Sequence, residues 1–148
     1  MRQYAESLKD KKLSAARPRL IRDIMAATST EEGMAQKVQA MALGVAMGMD
    51  STQPVQQRIG LERLQARIKT AMPIEKLKEQ MRAILPAIMS YTYRDVSDAD
   101  LTAYVAFLRS PVGKRYQEQV MDAYTEAIVH ASVRLGQLID VNTSKRPA

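Results

Sequence analysis

Asp122, Glu126 and His130 are the side chains whose types and spacing come closest to a chemical site, because they recur every four residues. On a helix this spacing places them along one face. Together with a second helix they could bind a metal ion, so a metal-dependent enzyme is one hypothesis. The ligands of a catalytic zinc must converge on one point, however, whereas residues stacked along one helix spread out. We therefore interpret the three as a solvated stripe and predict neither a metal site nor a cofactor.

Ser110 is a second candidate, as a nucleophile, but that role needs a base and an oxyanion hole. The one histidine, His130, lies about five turns further along the same predicted helix, so the two side chains cannot meet within one chain. The absence of cysteine excludes thiolate zinc sites and cysteine nucleophiles. No phosphate loop, zinc-protease motif or serine-hydrolase elbow occurs in the sequence. We predict no catalytic residue and a protein that is not an enzyme.

Tyrosines and methionines favour binding over catalysis. Tyrosine offers an apolar ring with a polar hydroxyl, and methionine is a soft side chain that adapts to irregular surfaces. We predict a groove for a partner protein or an apolar small molecule, lined by Met41, Tyr91, Tyr104, Tyr116 and Tyr124. The alternative is that these tyrosines lie at seams between helices with their hydroxyls partly in water.

The positive charge is concentrated at the start of the chain. Residues 1–22 contain seven Lys or Arg and two acidic residues, which gives +5 of the net charge of +6. Such arms dock on anionic lipid or nucleic acid, or are simply solvated leaders. The arm lacks the aromatic interleaving that stacks bases, which disfavours nucleic acid. Binding of an anionic surface, lipid or nucleic acid, through this arm is the alternative function.

Composition and periodicity predict an all-α fold. A chain of 148 residues fits one domain, and its abundant Met, Ala and Leu favour helix. We predict a single-domain helical bundle of about six helices, with a basic arm over residues 1–16, a helical domain over 17–141 and a polar tail over 142–148. No feature specifies an oligomeric state. The longest apolar run, residues 40–49, is far shorter than the ~20 residues of a membrane span.

Capping residues and prolines predict where the helices begin and end. A capping box at Ser29 and Glu32 opens a helix to about Met49. Pro54 starts a second helix, to about Met72, and Pro73 opens a third, in which Pro86 predicts a kink or break. Ser97 and Asp100 start the next helix. The last one runs from Pro111 to about Asp140.

Apolar and small residues predict how these helices pack. In the last helix we expect one apolar face to be turned inward, comprising Tyr116, Val120, Tyr124, Ile128, Ala131, Leu135 and Leu138. Ala40, Gly44 and Gly48 form a stripe of small residues at four-residue spacing. Because glycine costs ~1 kcal/mol against alanine in a helix, we expect another helix to cross closely there.

The run from Phe107 to Gly113 predicts a helix–corner–helix joint. Ser110 can cap the second helix, and Pro111 then falls at its first position, where the missing N–H costs nothing. We expect Phe107, the one phenylalanine, to pack beneath the corner with Leu101, Tyr104 and Leu108.

This joint resembles the bacterial family catalogued as domain of unknown function 2059. Its members carry a late pattern of the form acidic-x-x-Leu…Phe-Tyr-x-Ser-Pro-x-Gly, in which Leu108 here replaces the usual second aromatic residue. Residues 20–28 and 85–88 also look like family segments. The positions that match the pattern are Leu101, Phe107, Ser110, Pro111 and Gly113.

The resemblance implies an all-helical domain that is made with a signal peptide and exported to the periplasm or cell envelope, and it implies no reaction. The first residues of the chain contain no apolar signal region, so we expect a form from which the signal peptide has been removed. Our preferred hypothesis is a non-enzymatic envelope protein that binds its partner or ligand in the Met/Tyr groove.

Overall fold

The computed structural model of the protein describes residues 14–143, with side chains as far as residue 139. Over this range it contains six α-helices, one short 3-10 turn at Val55–Gln57 and no strand, which confirms the predicted all-α helical bundle. The helices are α1 Arg17–Ala27, α2 Thr30–Ser51, α3 Leu61–Ala71, α4 Ile74–Thr92, α5 Asp98–Arg109 and α6 Pro111–Thr143. No helix of the described range is both long enough and apolar enough to cross a bilayer. Residues 1–13 of the predicted arm and 144–148 of the predicted tail lie outside this range.

Helices α2 and α6 form the most extensive packing in the molecule, and they run parallel. Gly44 lies against Ser132 and Gly48 lies against Gly136, so residue numbers rise together along the seam. A Cβ added to Gly48 would come within 2.1 Å of the carbonyl oxygen of Val133. The predicted close crossing at the small-residue stripe is confirmed, because only glycine lets the two backbones approach this far.

Helices α1, α4 and α5 build the apolar core beside this pair. One cluster joins α1 to α5 through Ile24, Leu101, Val105 and Leu108, and a second joins α1 to α4 through Ile21, Met25 and Leu85. Leu101 and Leu108 are fully buried, as expected for the residues next to the joint.

Arg17 locks the beginning of α1 against the turn between α4 and α5. Its guanidinium donates to the backbone carbonyls of Tyr93 and Val96 and pairs with Asp98, 2.7 Å from its carboxylate oxygen. Although it is a cation, Arg17 is only 8% exposed, because these acceptors replace water. The Ser14 hydroxyl also donates to Asp98, and the two hydrogen bonds hold the pKa of that carboxyl below its usual value.

The joint between α5 and α6 has the predicted caps. The Ser110 hydroxyl accepts a hydrogen bond from the Gly113 N–H at 3.0 Å, and Pro111 is the first residue of α6. A Cβ at Gly113 would lie 1.9 Å from the Phe107 carbonyl oxygen, which explains why glycine occupies this corner. The prediction that Phe107 packs beneath the corner is correct only in part, because its ring stacks on Tyr104 but the residue is not buried. Phe107 is 38% exposed, because Leu108 occupies the inward-facing position and Phe107, one residue earlier, lies on a different side of the helix.

Two other local predictions fail for conformational reasons. Ser29 is the N-cap of α2, but it adopts a left-handed conformation with φ 47°, and its hydroxyl makes no capping bond. The helix predicted from Pro54 to Met72 is interrupted at Gly60, where φ is 85°. There the carboxylate of Asp50 accepts hydrogen bonds from the N–H groups of Ile59 and Gly60, which holds the chain in a turn before α3.

Pro86 does not break α4, which continues from Ile74 to Thr92. By contrast, Ser97 caps α5 as predicted, since its hydroxyl accepts from the Asp100 N–H at 3.1 Å.

Candidate functional site

The apolar face of α6 is exposed rather than buried. Small and polar residues, including Thr125, Ser132 and Gly136, occupy the side of α6 that contacts α2. The large apolar residues are therefore left outside, with Tyr124 and Leu135 52% and 51% exposed. The predicted inward face is wrong for every member except Ile128, which is half-buried; the exposed members are Tyr116, Val120, Tyr124, Ala131, Leu135 and Leu138.

Methionines of α2 extend this exposed apolar surface. Met34, Met41 and Met49 recur every seven or eight residues and therefore share one side of α2. We define the α2–α6 face as these three methionines together with Tyr116, Val120, Tyr124, Leu135 and Leu138, all of which are exposed. In the described range ten apolar residues are buried and seventeen large apolar residues are exposed, eight of them on this face.

Lys37 connects the two halves of the α2–α6 face across the seam. Its ammonium lies 5.0 Å from the centroid of the Tyr124 ring and 3.1 Å from the sulfur of Met121. The residue is 8% exposed, and burial lowers the pKa of the ammonium. Because Lys37 belongs to α2 and Tyr124 to α6, this contact shows that the α6 part of the face lies directly beside α2.

A row of four aromatic rings leads from the core to this face. Neighbouring ring centroids are 6.1 Å apart for Tyr93 and Tyr104, 6.5 Å for Tyr104 and Phe107, and 6.0 Å for Phe107 and Tyr116. Burial, together with the neighbouring Tyr104, raises the pKa of Tyr93 to about 12. The phenol of Tyr93 therefore stays neutral at physiological pH, and the row links the turn after α4 to α5 and α6.

The five predicted binding residues do not line one groove. Met41, Tyr116 and Tyr124 belong to the α2–α6 face, whereas Tyr104 is half-buried within the aromatic row. Tyr91 lies on α4, where the Arg94 guanidinium sits 4.2 Å from the centroid of its ring. The structure thus brings three of the five together, on a surface rather than in a pocket.

Three clefts in the described range are open rather than enclosed. The largest of three, of ≈ 760 Å³, lies between α2 and α6 beside Glu32, Lys37, Glu118 and Asp122. The other two have volumes of ≈ 560 and 580 Å³ and lie along α1. None of the three includes a tyrosine from the predicted groove.

The candidate metal residues lie along α6 at four-residue spacing. Asp122, Glu126 and His130 are all exposed on α6. Among the residues that the structure describes, no three His, Cys, Asp or Glu side chains are grouped so that they could hold a metal ion.

Sequence reasoning missed the exposure of α6, although the sequence contains a signal for it. Residues 121, 124, 128, 131, 135 and 138 alternate steps of three and four, the spacing of a coiled-coil seam. Ser132 and Gly136 lie on a different side, and small residues of this kind mark where the neighbouring helix packs. Taken together, the two patterns would predict that α2 packs on the side of α6 with the small residues. The side with the heptad spacing would then have no neighbouring helix.

No family model, curated protein or solved structure matches the chain. The resemblance to the domain of unknown function 2059 family therefore stays a prediction that rests on the residues of the joint.

Proposed function

We propose that the protein is a non-enzymatic binding protein and that its binding surface is the α2–α6 face. The observation that carries this proposal is the row of exposed large apolar side chains along two parallel helices. Contiguous apolar patches of this kind mark interaction sites on soluble proteins. We further propose the cell envelope as its location, which rests on the family resemblance alone.

The shape of the face favours a protein helix as the bound partner over a small apolar molecule. Small-molecule sites are concave and bury 70–90% or more of their ligand. The α2–α6 face instead follows two helices over the length of α2, and the cleft between those helices is open rather than enclosed. An amphipathic helix laid along such a surface uses apolar residues at helical spacing, which the face matches.

Photo-crosslinking in the native host tests this proposal. A benzophenone amino acid is placed at Tyr124, on the face, and in a second variant at Leu61, which is 49% exposed on α3 outside the face. We expect irradiation to give a discrete protein adduct from position 124 and none from position 61. If neither position gives an adduct, or both give the same smear, the α2–α6 face is not a binding surface.

The mass of the adduct also separates the possible partners. An increase equal to the mass of the chain, 16.6 kDa, identifies a second copy, and any other discrete mass identifies a different protein. Both results support the proposed function, and only the first bears on the inference that follows.

A further inference from the structure

Resting on the proposed function, we infer that the occupant of the α2–α6 face is a second copy of this chain. Two copies packed face to face place four long helices around one shared apolar core, in the manner of a four-helix bundle. Each copy supplies one parallel pair, with α2 of 22 residues and α6 of 33 residues.

The area of the face is what such a dimer needs. Its eight large side chains are each between 37% and 52% exposed. At about 200 Å² for a fully exposed large side chain, they offer on the order of 730 Å² per copy. If all of it is covered, two copies would bury roughly 1,500 Å², within the range of about 1,200–2,000 Å² for stable interfaces.

The order of side chains on α6 is self-complementary. In an antiparallel pairing centred near residue 129, Val120 lies opposite Leu138 of the second copy and Tyr124 lies opposite its Leu135. Ala127 then lies opposite Ala131 of the second copy, so that small residues meet where the helices cross. Large residues therefore contact large residues and small ones contact small ones, as a two-fold symmetric interface requires.

The charges on α6 permit this self-contact. The α6 residues of the face share an arc of about 100° on the helix, at about 100° per residue. Within the described part of that arc Arg134 is the one charged residue. In the antiparallel pairing Arg134 lies near Tyr124 of the second copy and away from its own symmetry mate. The pairing therefore brings no two charged residues of α6 with the same sign directly together.

Sedimentation of the purified full chain tests the inference with a matched pair of variants. Leu135 and Leu61 are 51% and 49% exposed, so Leu135→Lys and Leu61→Lys make the same change on and off the face. We expect the wild type and Leu61→Lys to sediment at twice 16.6 kDa. We expect Leu135→Lys to weaken the dimer at least about tenfold, since a charge would be buried without a partner.

Cysteine crosslinking gives a second readout that does not depend on a disruptive substitution. The chain contains no cysteine, and Ala131 and Ala83 are both exposed. With a short bismaleimide we expect Ala131→Cys to form covalent dimers and Ala83→Cys on α4 to stay monomeric.

Two results would overturn the inference. One is a wild-type chain that sediments as a monomer at about 100 μM, well above the concentration at which a specific dimer forms. The other is a dimer that Leu135→Lys and Leu61→Lys leave equally intact, which would place the interface elsewhere. A monomer whose position 124 still crosslinks to a different protein would refute the second copy and leave the proposed function standing.

Discussion

At the residue scale, the glycines of the α2–α6 seam should be intolerant of a single methyl group. A Cβ at Gly136 would lie 2.1 Å from the carbonyl oxygen of Val45, so the two backbones would have to separate. We expect Gly136→Ala to lower the free energy of unfolding by about 1–3 kcal/mol, as overpacking does. Gly33, which lies in α2 outside the seam, has no atom near its missing Cβ. Gly33→Ala should therefore raise stability by up to ~1 kcal/mol through helix propensity. Urea denaturation of the two variants compares them directly.

Lys37 is a cation that the fold buries at a cost. Its ammonium meets a thioether and an aromatic ring, and no carboxylate of the described residues pairs with it. Since burial lowers its pKa, the charged form is disfavoured in the folded state, and stability should rise with pH between the lowered pKa and the ordinary value of 10.5. We expect Lys37→Met to remove this rise and to add on the order of 1 kcal/mol at neutral pH. Thermal melts between pH 7 and about 10 would show the rise of wild-type stability with pH. A Lys37→Met variant that is less stable than the wild type would refute the prediction.

At the element scale, alanine substitutions should distinguish an N-cap hydrogen bond that the structure contains from one that only the sequence suggests. Ser110 accepts from the Gly113 N–H, whereas Ser29 occupies the same N-cap position of α2 without a side-chain bond. We expect Ser110→Ala to cost about 1 kcal/mol, the usual value of an N-cap. Ser29→Ala should be close to neutral. Equal losses for both in chemical denaturation would contradict the assignment.

The Arg17–Asp98 contact should make the attachment of α1 sensitive to acid. Because the folded-state pKa of Asp98 is lowered, its contribution to stability is fully present above the ordinary value of 3.8 and is lost as pH falls through the lowered pKa. We expect Asp98→Asn to be less stable than wild type at neutral pH and to lose less on acidification below about pH 4. Parallel acid titrations monitored by circular dichroism measure this, and identical acid profiles would contradict it.

Helix ends were predictable from the sequence to the extent that they depend on local contacts. Ser97 and Ser110 act on residues three positions away, so their spacing contains the information. Which face of α6 is buried depends instead on α2, whose Lys37 is 84 residues from Met121. Apolar periodicity locates a face of α6 but does not say which helix covers it, and for that reason the candidate site was predicted only in part.

At the scale of the whole molecule, a dimer built on the α2–α6 face links stability to concentration. Any partner that binds only the folded chain raises its melting temperature by mass action. We expect the melting temperature of the wild type to rise as protein concentration increases, and that of Leu135→Lys to stay constant. A scanning calorimetry series over two decades of concentration would decide, and a wild-type melting temperature that does not change would count against self-association.

The parallel seam of α2 and α6 also has a kinetic consequence. Helical bundles usually fold fast because their contacts join neighbours in sequence. Here the largest helix pair closes a loop of more than 80 residues, since Ser51 contacts Gln137, 86 positions later. During synthesis α2 leaves the ribosome long before α6 exists, and until then its seam glycines, Gly44 and Gly48, lack the helix that they pack against. The chain should therefore fold late and all at once.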